Sequence, residues 1–356
     1  MTQTSKQSSS ATASRRPSVI TLLLKYGVPL IVSIGLCYTL FSGVDIHEMM
    51  ETIRTKCDYR WIALGMALSI FSHIFRAMRW RIQLNAMGIR VPLFTLVLSI
   101  FGTYAVNLIL PRLGELWRTG YIAKRQEVPF DKVFGSMIAD RLSDTITVGL
   151  LTLFTFIFAG GAIADYLSQN EQLYDTLTGI VASPLFWIAI VASIIALTLI
   201  IRAMRHTAFA AKVAEFGRGI WKGFAVIATM PGKGRWLLLT VCLWGCYFVQ
   251  LYVCFFAFPE TAEVLRHYGI QAVLVCFVLS SISMAVPSNG GIGPWQYAVI
   301  FGLSLYQAGV PGITTEISTA FANLVMGSTT LLLIVLGLFT FICIAIDRRR
   351  DTPLRK

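Results

Sequence analysis

The sequence predicts an all-α polytopic membrane protein with about six full spans and two re-entrant helical hairpins, arranged as an inverted repeat. Three observations lead there. Of 356 residues, 56% are hydrophobic and 13% charged, against about 25% charged in a soluble domain. Apolar windows of roughly 18 residues or more recur along the chain. Lys and Arg gather at alternate ends of these runs, as the positive-inside rule requires, except at two places where the chain breaks and turns back.

The balance of 30 Lys+Arg against 18 Asp+Glu, a net +12, fits basic cytoplasmic loops facing anionic lipid headgroups. The basic residues are dispersed between spans and form no basic domain, which excludes a nucleic-acid partner. The seven cysteines show neither metal spacing nor a disulfide framework and read as small apolar helix residues. The four histidines are scattered. Neither G-x-x-x-x-G-K-[ST], H-E-x-x-H nor G-x-S-x-G occurs, so no cofactor, metal site or catalytic residue is expected.

Residues 1–17, rich in Ser, Thr and Gln, read as a disordered cytoplasmic tail. Residues 19–41 are too long for a signal-peptide core and form the first span. Arg15, Arg16 and Lys25 hold its start inside. Residues 42–60 are an outer loop of mixed charge. Residues 59–84 span inward and end in His73, Arg76, Arg79, Trp80 and Arg81. Positions 73, 76 and 80 share one helical face.

The apolar run 92–110 is followed by six Lys/Arg between positions 112 and 141, which cannot all face outward. The conflict disappears if the run enters from the cytoplasm, breaks at Pro111–Gly114 and returns as a half-helix. Residues 130–159 begin amphipathic, with Asp140, Arg141 and Asp144, and then span outward. Asp165, Glu171 and Asp175 form an acidic outer loop. Residues 184–201 return, and a basic stretch at about 203–230 reads as a helix on the cytoplasmic membrane surface. Residues 237–258 go out, with Glu260 and Glu263 outside.

The run 269–286 then meets a second break, Pro287-Ser288-Asn289-Gly290-Gly291-Ile292-Gly293-Pro294, and returns over 295–307. Residues 315–346 are the last span. Asp347 to Arg350 and the basic tail 348–356 lie in the cytoplasm. The second hairpin therefore enters from the outer face. The order of apolar run, Pro, Gly, Trp, Val-Pro and span occurs twice. The two halves, about 59–160 and 236–346, run in opposite directions, as in transporters whose site lies near the midplane between broken helices.

A half-helix that starts at depth presents unpaired N–H groups to an anion. Arg112, Gly114, Glu115 and Arg118 surround the first such start, and Arg112 and Arg118 suit bidentate phosphate binding. Glu115 either pairs with Arg118 at i and i+3 or carries a coupling proton. Asp140, Arg141 and Asp144 are either an interfacial collar or a partner network for those arginines. His73, Arg76 and Arg79 either bind headgroups or anchor the cytoplasmic face by snorkelling. The second start, at Gly293-Pro294, has Pro at the first helical position. Ser288, Asn289 and Gln296 offer polar side chains there, and Gly290, Gly291 and Gly293 allow close backbone approach. Asn107 and Asn323 are polar residues inside apolar helices, where such residues often join helices.

At these residues the chain resembles the flippase-like membrane family named for the transmembrane region of lysylphosphatidylglycerol synthase. The markers are Arg76-Ala77-Met78-Arg79-Trp80, Pro111 to Arg118, Asp140-Arg141-Leu142-Ser143-Asp144, and the Gly-rich stretch from Pro287 followed by Gly309-Val310-Pro311. The resemblance covers about residues 20–345. It implies movement of phospholipids or polyisoprenyl-linked lipids between leaflets of the inner membrane. Two positions depart from the family pattern. Gln296 stands where an acid is frequent, and Phe321-Ala322-Asn323 where a later helix often carries Arg. With ten residues after the last span, the chain resembles the translocating half without the soluble synthase domain. The expected role is therefore binding or flipping of an anionic, phosphate-bearing lipid. The alternatives are a membrane-embedded transferase acting on a lipid phosphate, with Glu115, Asp140 and Asp144 as acid and base, or a non-catalytic partner of a lipid or glycan synthase. A homo-oligomer is also compatible.

Overall fold

A computed structural model describes residues 46–169 and 229–351, apart from Pro287, with isolated positions between 179 and 199. The expected first span and N-terminal tail, most of the surface segment, eight positions of the 184–201 span, and Pro287 lie outside the described residues. Within them the chain is helical and has no strand. The helices are α1 (Ile46–Lys56), α2 (Tyr59–Ala86), α3 (Leu93–Ile109), α4 (Leu113–Arg125), α5 (Phe130–Gln169), α6 (Lys233–Cys254), α7 (Pro259–Tyr268), α8 (Ile270–Ser283), α9 (Pro294–Ser304) and α10 (Thr315–Asp351). Of these, α2, α5, α6 and α10 are long and apolar enough to cross a membrane. The pair α7–α8, bent by 111°, makes a fifth crossing if counted as one.

Local chemistry sets the ends of these helices. Asp58 accepts from the Arg60 N–H at 3.1 Å and so caps α2. Its own N–H donates to Ala257 O at 2.9 Å, tying the start of α2 to the short turn that follows α6. At the other end Gly88 takes φ 77°. Ile89 N–H reaches Leu84 O at 2.9 Å and Gly88 N–H reaches Asn85 O at 3.0 Å. This is the Schellman pattern that satisfies the last carbonyls of a helix. Helix α3 stops because Pro111 forces Leu110 into the extended region, φ −128° and ψ 102°. Arg112 then turns the chain in the left-handed region at φ 61°.

The two helical hairpins are built alike. In each, the two arms are clamped at a glycine. A Cβ on Gly114 of α4 would collide with Thr103 O of α3. One on Gly302 of α9 would lie 2.7 Å from Cys276 Sγ and 3.1 Å from its Cα on α8.

Helices α2 and α6 form the most extensive pair and stand at the centre. Around them α5 packs on α8, and α10 packs on α3, while α4 meets α5 and α9 meets α10. Each long helix thus leans on the first arm of the hairpin in the other half of the chain. The apolar core divides unequally. The larger cluster gathers around Phe255, Phe258 and Phe321. The smaller one surrounds Trp80, Leu84, Ile100 and Ile122, because charged side chains occupy the rest of that half.

Four expectations are corrected. The outer loop 42–60 contains α1, whose Met49 and Ile53 are buried as it packs on α10. The acidic loop begins later than the sequence suggests, since α5 runs through Asp165 to Gln169. Its 40 residues measure about 60 Å, roughly twice the hydrocarbon core. The outer stretch after α6 is a helix, α7, started by Pro259 at its first position and ended by Gly269 at φ 65°. The last helix continues through Asp351 into the segment read as a tail.

Candidate functional site

Arg76 and Arg79 leave α2 one turn apart, and Asp140 and Asp144 leave α5 one turn apart. The matched spacing makes a ladder. Arg79 Nη2 lies 2.6 Å from Asp140 and 2.8 Å from Asp144, with Nε also donating to Asp140 at 3.0 Å. Arg76 Nη1 lies 2.7 Å from Asp144 and 3.6 Å from Asp140, and its Nη2 donates to the Tyr247 hydroxyl at 3.4 Å. Arg76 and Arg79 are 3% and 0% exposed. This burial corrects the reading of the two as snorkelling anchors of the membrane surface. Such pairs hold only while every member keeps its partner, since an uncompensated buried charge is strongly destabilising.

A second pair lies on the first hairpin. Glu115, in the first turn of α4, accepts from Arg141 of α5 at 2.9 Å. Asn107 of α3 donates to both Glu115 oxygens, at 3.4 and 3.3 Å, and accepts from the Gly114 N–H at 2.8 Å. Asn107 therefore caps α4, and one N–H expected to await an anion is already satisfied. Arg141 also approaches Asp144 at 3.8 Å, which joins this pair to the ladder. The expected Glu115–Arg118 pair does not form.

Arg118 is the remaining cation. It is 0% exposed, and Nε, Nη1 and Nη2 all lack a hydrogen-bond partner among the described residues. Its guanidinium lies 4.3 Å from the centre of the Trp80 ring, a cation–π platform. Trp80 is itself fixed by donating to Ser136 Oγ at 3.1 Å. Each of the three carboxylates has an arginine within 3.0 Å. Arg118 has no carboxylate within 4.0 Å among the described residues, although Asp140 and Glu115 attract it from further off and Arg141 and Arg76 repel it.

Arg112 does not join Arg118. It is exposed and donates to Ala285 O, beyond the end of α8, at 2.6 Å. Asn289 of the second break donates to Leu108 O of α3 at 3.3 Å. A Cβ on Gly290, at φ +64°, would meet Leu108 Cδ2 at 2.6 Å. The two breaks are thus in direct contact. Ser288 is buried beside them at 9% exposure.

The start of α9 is as expected, with Pro294 first and Gly293 before it at φ 95°; Gly291 also has positive φ, 89°. Gln296 Oε1 accepts from the Gly293 N–H at 2.6 Å. Its Nε2 donates to Asn323 Oδ1 at 3.1 Å, and Asn323 donates to Thr319 O at 2.9 Å. Both hairpin starts therefore have backbone donors filled by the protein's own side chains, while the guanidinium of Arg118 has none of its donors filled.

Trp80 escaped the sequence reading as part of the site. Its signals are its place four residues after Arg76, on the same face, and its position at the end of the Arg76-Ala77-Met78-Arg79-Trp80 marker. Asn107 was singled out only as a polar residue that joins helices. Its capping role depends on the close approach of α3 and α4 at Gly114, which the residues beside Asn107 do not encode.

Helices of spanning length around a buried ladder of charge define a multi-pass membrane protein. The chain belongs to the family of the lysylphosphatidylglycerol synthase TM region, which it matches over residues 27–337; that range contains every residue of the ladder. A UPF0104 membrane protein of Methanocaldococcus jannaschii is 23% identical over 166 residues, 45% of this chain and 49% of that protein. Another, of Pyrococcus horikoshii, is 25% identical over 134 residues, 36% and 40% of the two chains. Glycosyltransferase AglD of Haloferax volcanii is 21% identical over 307 residues, 79% of this chain and 48% of that one. The chain spans about half the length of the curated relatives it matches, or less. No solved structure matches it.

Proposed function

We propose that this protein takes the phosphate of an anionic lipid at Arg118 and moves it between the leaflets of the inner, cytoplasmic membrane. The acyl chains stay in lipid while the headgroup passes along the contact between the two hairpins. The observation that carries this reading is Arg118 itself. It is a fully buried guanidinium with three unpartnered nitrogens, in a chain of membrane-spanning helices. An ionised side chain in that setting is expensive unless it meets an opposite charge, and the three carboxylates of the cluster, Glu115, Asp140 and Asp144, are each paired with another arginine.

The architecture in this reading is an inverted repeat of six full spans and two re-entrant hairpins, with both termini cytoplasmic. Its halves are about 59–160 and 236–346, joined through the surface segment at about 203–230. The reciprocal packing of α5 on α8 and α10 on α3 supports the repeat. Two ion pairs support the sidedness. Arg125 meets Asp347 at 2.5 Å, both assigned to the cytoplasm by charge, and Lys56 meets Glu260 at 2.8 Å, both assigned outside.

Purified protein in liposomes with a fluorescent anionic phospholipid in one leaflet tests the function. The expected result is protein-dependent loss of leaflet asymmetry that Arg118→Gln abolishes. Unchanged movement in Arg118→Gln overturns the assignment. The likeness to a protein named a glycosyltransferase, over 79% of this chain, favours a second reading: association with lipid-linked glycan synthesis as partner of a synthase. Recovery of a stable complex without intrinsic lipid movement would decide for it.

A further inference from the structure

We infer that the headgroup taken at Arg118 is a phosphodiester carrying a single negative charge, rather than a phosphomonoester or diphosphate; this rests on the lipid-carrying role proposed above. The cluster, buried at Arg76, Arg79, Arg118, Asp140 and Asp144 and half-buried at Glu115 and Arg141, holds four cations, Arg76, Arg79, Arg118 and Arg141, against three carboxylates, Glu115, Asp140 and Asp144. With histidine counted as neutral, four minus three leaves +1. Each carboxylate lies 2.6 to 2.9 Å from a partner arginine, so three of the four cations are matched and Arg118 is left over.

One negative charge brings this cluster to neutrality. Two would leave it as far from neutral as the empty site, with the sign reversed, in surroundings where leftover charge is heavily penalised. The opposite half does not alter the sum. Its first-turn residue Gln296 pairs with Asn323 at 3.1 Å, and both are neutral. Arg112 adds a charge only at the exposed rim, where it is already engaged with Ala285 O and screened from the cluster.

The geometry agrees with a diester. All three guanidinium nitrogens of Arg118 are unpartnered while one ring face rests on Trp80. Such a fork meets two oxygens of one phosphate edge-on, and a diester has two free oxygens to offer.

The test is native mass spectrometry of the full chain, titrated in detergent with phosphatidylglycerol or with phosphatidic acid of the same acyl chains. The pH is set well above about 6, the second phosphate pKa, so that the monoester carries two charges. Phosphatidylglycerol is expected to bind roughly tenfold or more tightly than phosphatidic acid. Glu115→Gln raises the cluster to +2 and reverses that preference. Asp144→Asn makes the same change of charge elsewhere in the cluster and is expected to reverse the preference likewise, which keeps the test decisive if Glu115→Gln does not accumulate. Arg118→Gln loses both lipids.

Equal or tighter binding of phosphatidic acid by the unaltered protein overturns the inference, and so does a preference unmoved by Glu115→Gln. Binding of neither lipid removes the lipid-carrying role as well, so the two failures are distinct. Deacylated glycerophosphoglycerol, added as competitor at equal concentration, separates a lipid from a free phosphodiester. No displacement supports the lipid, and full displacement overturns it.

Discussion

The side-chain amide of Gln296 donates to Asn323 Oδ1 at 3.1 Å, in the same role that Glu115 and Arg141 play in the other half at 2.9 Å. Gln296 and Glu115 both stand at the third position of a returning half-helix, and each reaches the long helix that follows. An ion pair in one half is thus matched by a neutral pair in the other. The two departures from the family pattern, met separately in the sequence, are one contact. Gln296→Glu alone buries a carboxylate opposite an amide oxygen and is expected to cost about 2–4 kcal/mol. Adding Asn323→Arg should restore most of it, and thermal unfolding of the four proteins in detergent measures the coupling.

Arg79 and Arg118 should respond oppositely to truncation. Arg79→Ala leaves Asp140 without its closest partner and is expected to destabilise by about 3–5 kcal/mol. Arg118→Met removes a buried charge that has no ion-pair partner. Its stability should change by no more than about 1–2 kcal/mol, the scale of the lost ring contact, while lipid movement is lost. Unfolding and transport measured on the same preparations separate the two.

Two glycines of α4 give an internal control. Gly114→Ala pushes α4 off Thr103 O and should destabilise by about 1–3 kcal/mol. Gly120 has open space where its Cβ would be, so Gly120→Ala should stabilise by about 0.5–1 kcal/mol through helix propensity.

The contact between the breaks should be functional. In a background without native cysteines, Leu108→Cys with Asn289→Cys places two thiols where Asn289 now reaches Leu108 O at 3.3 Å. Oxidation is expected to stop lipid movement and reduction to restore it. Transport that continues through the cross-link would show that the hairpins need not part.

The hairpins were legible because their causes are local. Pro111 ends a helix by its ring, and Pro294 starts one by its fixed φ. The ladder was visible only as two separate motifs. Arg76 and Arg79 read as headgroup ligands or surface anchors because nothing near them in sequence balances their charge. Their partners lie 61 to 68 residues away, and only the packing of α5 on α2 brings them together. The corrected role of Arg112 has the same origin, since its acceptor at Ala285 is 173 residues distant.

The ladder also imposes an order on synthesis. When α2 leaves the ribosome, Arg76 and Arg79 have no counter-charge, and Asp140 has yet to be made, 61 residues after Arg79. At about 5–20 residues per second, the wait lasts several seconds. During that time the arginine-bearing end of α2 belongs at the lipid–water boundary, held there by its own hydration. Arrival of α5 lets it sink to its final depth, so a nascent chain stalled before Asp140 should leave that end of α2 reachable by water-soluble reagents that no longer reach it in the finished protein.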